Sequence, residues 1–246
     1  MHVLLDLWGV LLDMGAARLG YRDRVASIFQ ERFGKDRDRW LRAHDVAWEA
    51  DLQRTREVGW DAGPWAEIVA RLDAEWVTRI LEEGGEAWRP EDPVAWAREL
   101  DFEVLSSINA RFPDARSAVE RLRASGHRIH VATQGTESSA RGALVGAGLV
   151  GSFERLFTGD SQDALKSDPR YWSTIPGTLD APPTECIVVD DCLDYLGAAS
   201  SVGFLALLVD RTGSHAQEEV PLHVRATLRN LAGLSHFLDR LADGSL

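Results

Sequence analysis

The 246-residue chain carries two cysteines, Cys186 and Cys192, which lie six positions apart without CxxC spacing or a matching histidine pair. That excludes a disulfide framework and a structural zinc site of the usual ligand spacing. A reducing, cytoplasmic setting is therefore the expectation. Long apolar runs are also missing: the longest, Val202 to Val209, contains a glycine and falls far short of the ~20 residues a membrane-spanning helix needs. Asp6 interrupts the N-terminal apolar stretch before a signal-type hydrophobic region can form, so no secretory leader is expected. Positive charge is scarce, with 27 Lys plus Arg against 39 Asp plus Glu and a formal net charge of −12. The mean surface field repels nucleic acid and anionic membrane, which are not expected partners; a local cationic site can still hold one phosphate or carboxylate. Lysine is reduced to Lys35 and Lys166. The seven histidines, His2, His44, His127, His130, His215, His223 and His236, show no metal-ligand spacing, and each is assigned to the surface or to core packing.

What is present is a length that allows one large domain or two small ones, and an alternating pattern of elements. Short apolar runs that end in polar residues occur at Val3 to Leu5 before Asp6, at Ile129 to Ala132, at Cys186 to Val189 before Asp190, and at Phe204 to Val209 before Asp210. Between them, Ala115, Ala118, Val119 and Leu122 repeat at helical spacing, and Ala140, Leu144 and Ala147 mark a second helical face. Strands apolar on both faces alternating with helices imply an α/β fold, an open parallel sheet covered by helices on both sides. Residues 14–105 break this rhythm, being rich in Arg, Glu, Ala and Trp with no strand pattern, and are predicted to form an inserted all-helical domain. The expected division is thus a core of residues 1–13 and 106–246 and a helical insertion of residues 14–105. Seven of nine tryptophans (Trp40, Trp48, Trp60, Trp65, Trp76, Trp88 and Trp96) lie in the insertion and are expected to pack a bundle rather than stack on a ligand. Turns are expected at Asp61 to Pro64, Glu83 to Gly85 and Pro90 to Pro93. Gly146, Gly148 and Gly151 spell GxGxxG, but they follow a helical stretch instead of a strand, so Gly146 or Gly148 is read as a helix terminator and not as a dinucleotide site.

In an open α/β sheet, ligands collect at the carboxyl ends of the strands, and here those ends carry Asp6, Thr133 and the pair Asp190 and Asp191. Lys166 stands between them, 33 residues after Thr133 and 24 before Asp190. A single acidic strand end is commonly a helix cap; the joint order of carboxylate, hydroxyl, lysine and acidic pair is what points to a site.

At these positions the chain resembles the haloacid dehalogenase superfamily. Its four motifs match Leu4-Leu5-Asp6-Leu7-Trp8-Gly9-Val10, Val131-Ala132-Thr133-Gln134-Gly135, Lys166-Ser167-Asp168-Pro169 and Val188-Val189-Asp190-Asp191-Cys192, the last followed by Ala198, Ala199 and Gly203. The insertion resembles the helical cap of the branch that contains phosphoglycolate phosphatases, β-phosphoglucomutases and the dehalogenases themselves. The resemblance implies a Rossmann-like core, Asp6 as nucleophile, and Thr133, Gln134 and Lys166 holding the anionic group of a small-molecule substrate. It further implies Mg²⁺ held by Asp6, Asp190, Asp191 and the backbone carbonyl of Trp8. A monomer or homodimer is expected. Elementary electrostatics agrees: three carboxylates around one lysine repel, and a hard dication relieves that repulsion and screens the nucleophile from a phosphate.

The sequence departs from the phosphatase pattern at Trp8, where those enzymes have a second aspartate that protonates the leaving group. An indole N–H supplies no such acidity, and general acid catalysis contributes ~10²–10⁴ in rate. The dehalogenases have an aromatic residue there, but Ser and Asn in place of two aspartates at the fourth motif. The expectation is Mg²⁺-dependent hydrolysis of a phosphoester or phosphoanhydride with a good leaving group. The alternatives are 2-haloacid dehalogenation and a non-catalytic binding protein with Trp8 filling the pocket. Ser167 replaces the usual proline, with Asp168 and Pro169 left to restrain the turn. Tyr195 replaces an Asn or Asp, with Asp194 beside it, and Cys192 is assigned a packing role. Arg42 and Arg54 are the arginines of the insertion singled out for reaching a substrate anion, with solvated ion pairs as the ordinary alternative.

Overall fold

A strand buried on both faces must send successive side chains into two different cores. In the computed structural model, which describes residues 1–58, 64–215 and 221–242, this is what the apolar runs do. Val3 and Leu5 enter one core while Leu4 enters the other; Ile187 and Val189 join the first, Cys186 and Val188 the second. The strands are β1 (His2–Leu5), β2 (Arg128–Ala132), β3 (Arg155–Phe157), β4 (Cys186–Asp190), β5 (Leu205–Val209) and β6 (Val224–Leu228). They form one parallel sheet in the order β3-β2-β1-β4-β5-β6. Chain order runs outward in both directions from β1, so the crevice at the carboxyl ends lies between β1 and β4, beside β2.

Helices α1 (Met14–Phe33), α2 (Arg37–Glu57), α3 (Trp65–Glu83) and α4 (Pro93–Ser106) follow β1. Asp13 starts α1 by accepting from the amides of Gly15 and Ala16, and Asp92 with Pro93 starts α4 in the same manner. The four helices share a buried core of their own that includes Phe29, Trp40, Ile80 and Leu100. Trp40 packs 5.0 Å from Phe29 between ring centroids and donates its indole N–H to Gly34 O, and Trp88 packs on Trp96. These three tryptophans are structural, as expected, and Trp76 also packs against that core; Trp48, Trp65 and Trp76 line a cavity as well. Trp60 and the turn residues Asp61, Ala62 and Gly63 lie outside the described residues.

Helices α5 (Ala115–Ala124), α6 (Glu137–Gly146) and α11 (Leu234–Ala242) cover one face of the sheet. The other face is covered through α8 (Pro169–Ser173), α9 (Ile175–Leu179) and α10 (Leu193–Ser201), while the one-turn α7 (Gly159–Gln162) follows β3. Gly146 is the last residue of α6 and Gly148 follows in the left-handed region, φ 64°, so the GxGxxG spelling ends a helix. Gly146 has a further job. A Cβ there would lie 2.2 Å from Ile108 O and 2.3 Å from Leu105 O, so the missing side chain lets α6 pack directly on the end of α4. No helix among the described residues is long and apolar enough to cross a membrane.

Candidate active site

Asp6 is the first residue beyond β1, and its amide donates to Val189 O at 3.0 Å, which fixes it in the crevice between β1 and β4. The loop beyond it is tight: the amides of Leu11 and Leu12 both donate to Leu7 O, and Gly9 donates to Leu12 O. Arg211 pins this loop from the far end of β5, donating to Val10 O at 2.6 Å and to Asp114 at 3.0 Å. Gly9 has φ 79°, and a Cβ on it would sit 1.9 Å from Asp191 Oδ2, so glycine is required both by the backbone and by the carboxylate beneath.

Asp190 closes β4, and its Oδ1 accepts from the amide of Cys192 at 2.9 Å. Lys166 is fully buried and reaches both strands: its Nζ lies 2.7 Å from Asp6 Oδ1 and 2.5 Å from Asp190 Oδ2. The segment that delivers it is held by its own backbone. Lys166 N donates to the Gln134 side-chain oxygen, Lys166 O accepts from Trp172 Nε1 at 2.8 Å, and Asp168 with Pro169 opens α8 immediately after. The Tyr195 ring centroid lies 5.2 Å from the ammonium.

Asp6, Asp190 and Asp191 each present an oxygen, and these atoms lie within 4.8 Å of one another. Burial pushes the Asp6 carboxyl up to about 7, with Asp190 adding to the rise and Lys166 opposing it. Burial and Asp190 likewise raise Asp191. Burial works against the Lys166 ammonium, but Asp190 and Asp6 outweigh it and hold the lysine protonated above its ordinary range. Three carboxylates against one ammonium leave two negative charges uncompensated when all ionise. The donor set is entirely hard oxygen, which suits a divalent cation such as Mg²⁺.

Thr133 is buried at the end of β2, its amide donating to Phe157 O and its carbonyl accepting from the Tyr171 hydroxyl. Gln134 spends its side-chain oxygen on Lys166, while its Nε2 is buried with no hydrogen-bond partner. Trp8 is half-buried and walls a cavity of about 440 Å³ whose opposite side comes from the helical layer, including Arg18, Tyr21 and Trp48. Arg42 is exposed on α2, and Arg54 pairs with Glu75 at 3.5 Å in an outer groove between α2 and α3; the arginine lining the cavity against Trp8 is Arg18. Burial raises the Cys192 thiol, in keeping with a packing role. Trp172, Arg18 and Arg211 carry no spacing signal that sequence reasoning could have used; Tyr195 was visible as a departure but its place over the ammonium was not.

The haloacid dehalogenase-like hydrolase family model matches residues 1–203. A phosphatase, MT3486 of Mycobacterium tuberculosis (strain CDC 1551 / Oshkosh), is 32% identical over 129 residues, which is 52% of this chain and 56% of that protein. The (S)-2-haloacid dehalogenase 1 of Pseudomonas sp. (strain CBS-3) is 27% identical over 239 residues, 96% of this chain and 95% of that one. Among solved structures, a HAD phosphatase from Thermococcus onnurineus superposes with a TM-score of 0.60 at 20% identity, covering 96% of this chain and 97% of that chain. A defluorinating L-2-haloacid dehalogenase superposes with a TM-score of 0.67 at 17% identity, covering 97% and 94%. These structural likenesses speak for the fold, and the motif order, the carboxylate cluster and the matched family model speak together for the class of chemistry: this chain belongs to the haloacid dehalogenase-like hydrolases.

Proposed function

We propose that the protein hydrolyses a small phosphorylated metabolite through an aspartyl-phosphate on Asp6. An Asp6 oxygen attacks phosphorus, the bond from phosphorus to the leaving oxygen breaks, and water then cleaves the acyl phosphate to regenerate the carboxylate. Lys166 neutralises charge on Asp6 and on the bound anion, while the backbone at Thr133 and the Gln134 side chain shape the anion's side of the crevice. Mg²⁺ held by Asp6, Asp190, Asp191 and the Trp8 carbonyl would screen the nucleophile from the incoming dianion. With an indole at position 8, no side chain there donates a proton to the departing oxygen, so the fitting substrates have good leaving groups, such as acyl or enol phosphates. The observation that carries this reading is the convergence of three carboxylates on one buried lysine, an arrangement whose charge a dication completes. The likeness to a phosphatase over half the chain supports it.

A second reading has its own support. Trp8 suits an electrophile whose leaving group needs no proton, and a sequence likeness over nearly the whole chain is to a 2-haloacid dehalogenase, so Asp6 would instead displace halide from carbon. Measuring phosphate release from acetyl phosphate and p-nitrophenyl phosphate beside chloride release from 2-chloropropionate, each with Mg²⁺ and with chelator, separates the two. Metal-dependent phosphate release abolished by Asp6→Asn is the expected result; chloride release indifferent to chelator would reverse the assignment.

A further inference from the structure

The cavity of about 440 Å³ against Trp8 is walled by one face of each of three helices. Met14, Ala17, Arg18 and Tyr21 stand at i, i+3, i+4 and i+7 on α1, and His44, Trp48 and Leu52 at i, i+4 and i+8 on α2, while α4 supplies Leu105. On the core side the cavity meets both loops that carry the reactive groups. Trp8 is two positions beyond Asp6, and Ser139, whose hydroxyl donates to Thr136 O, stands in the first turn of α6, just after Gln134 and Gly135. The lining is largely apolar, and packing does not use all of it: Met14 and Leu52 are 60% and 38% exposed. A concave, mostly apolar wall with a few polar groups is the form of a small-molecule pocket.

The cationic side chain in this lining is Arg18. Its guanidinium lies 5.5 Å from the centre of the Trp48 ring and, among the described residues, has no carboxylate within ion-pair distance. Neighbouring arginines are committed: Arg22 to Asp45 at 2.6 Å, Arg24 and Arg32 to Glu103 at 3.4 and 2.6 Å, and Arg98 to Asp73 at 3.3 Å. A guanidinium supported on its face by an aromatic ring keeps its N–H edge for a planar anion. The carboxyl group in the same lining, Asp101, is taken by the Tyr21 hydroxyl. A smaller chamber of about 250 Å³ shares Tyr21, Trp48 and Asp101 with the first and adds Asp51 and Asp73. Its acids repel an anion, which is left to Arg18 in the larger cavity.

We infer that the larger cavity takes the non-reacting part of the substrate, an apolar chain that lies on Trp8, Leu105 and Trp48 and ends in a carboxylate held by Arg18. That the reacting end is a phosphoryl group at Asp6 rests on the function proposed above; the pairing of Arg18 with a carboxylate on an apolar chain does not. The probes are therefore hexanoate and 1-hexanol, which share a chain and contain no phosphorus, titrated by NMR against the full chain with the Trp8 and Trp48 indole resonances as reporters. Hexanoate should move both resonances and bind about tenfold or more tighter than hexanol. Arg18→Gln should bring the two ligands within about twofold of each other, and Arg18→Lys should keep part of the difference. Arg56→Gln, which removes a charge from an exposed position on α2 outside the cavity, should keep all of it. In turnover, adipoyl phosphate, which carries a distal carboxylate, should exceed hexanoyl phosphate in kcat/KM by about tenfold, a preference lost in Arg18→Gln. No movement of the two indoles with hexanoate, equal affinity for acid and alcohol, discrimination unchanged in Arg18→Gln, or equal kcat/KM for the two acyl phosphates would each overturn the inference even where phosphate is released. Hexanoate binding that depends on Arg18, with no phosphate release from either acyl phosphate, would instead leave the inference standing and remove the phosphoryl reading.

Discussion

Lys166→Met keeps most of the side-chain volume against Trp172 and Tyr195 but removes the ammonium that lies 2.7 Å from Asp6 and 2.5 Å from Asp190. Removing one partner from a buried ion pair typically costs ~3–5 kcal/mol, because the remaining charge is left buried. For a chain of this size each kcal/mol corresponds to roughly 2–4 °C, so melting followed by circular dichroism in chelator should fall by on the order of 10 °C. Two signatures set this apart from a packing defect. The first is pH: Asp6 already holds its proton to about 7 in the folded state against 3.8 as its ordinary value, so the folded form binds more protons than the unfolded form across that window. Stability therefore declines as pH rises through it, and without the lysine the decline should steepen. The second is metal, since a divalent cation at ~100 times its dissociation constant returns about 2.7 kcal/mol by mass action. A variant that melts within about 2 °C of wild type, with no added pH dependence and no greater response to Mg²⁺, would refute the placement of Lys166 between two buried carboxylates.

Gly9→Ala should lose metal response by about tenfold or more and melt modestly lower, because its Cβ collides with Asp191 Oδ2 and its φ of 79° disfavours a side chain; an unchanged Mg²⁺ titration would contradict this. Trp8→Asp restores a proton donor beside the leaving oxygen and should raise turnover of alkyl phosphates by ~10²–10⁴ while changing p-nitrophenyl phosphate far less; parallel changes on both substrates would rule out leaving-group protonation. His2 and His130 are stacked, with Nδ1 and Nε2 3.0 Å apart, and burial, then His2, hold His130 down to about 4 against 6.5. Such a pair contributes stability that is present above about 6.5 and lost as pH falls toward about 4, so urea midpoints should fall with acidification across that window and His130→Gln should flatten the profile.

The strands legible in the sequence were those whose residues are buried on both sides. Leu4 and Leu5, or Val188 and Val189, read as apolar runs because two cores claim alternate members. Strands β3 and β6 escaped that reading for opposite reasons. Three residues are too few to show a period, and Val224–Leu228 is an edge strand whose burial alternates, mixing Arg225 and Thr227 with apolar neighbours. The helical character of the stretch that carries α1 to α4 was legible from the absence of any strand pattern, and the carboxylates that start α1 and α4, Asp13 and Asp92, behave as ordinary caps. The packing role of Gly146 was not, because closeness to Leu105 and Ile108 depends on how α6 crosses α4.

From the chain alone came the identities and order of the residues at the strand ends, since strand termini are local features and the sheet class places them on one side. That Lys166 would meet Asp6 from 160 positions away, that Arg211 would clamp Val10, or that Asp51, Asp73 and Asp101 would share one chamber, is local to no segment. Those meetings depend on which strand lies beside which and on the angles at which four helices cross. Periodicity reports that a face is covered; it carries no record of what covers it.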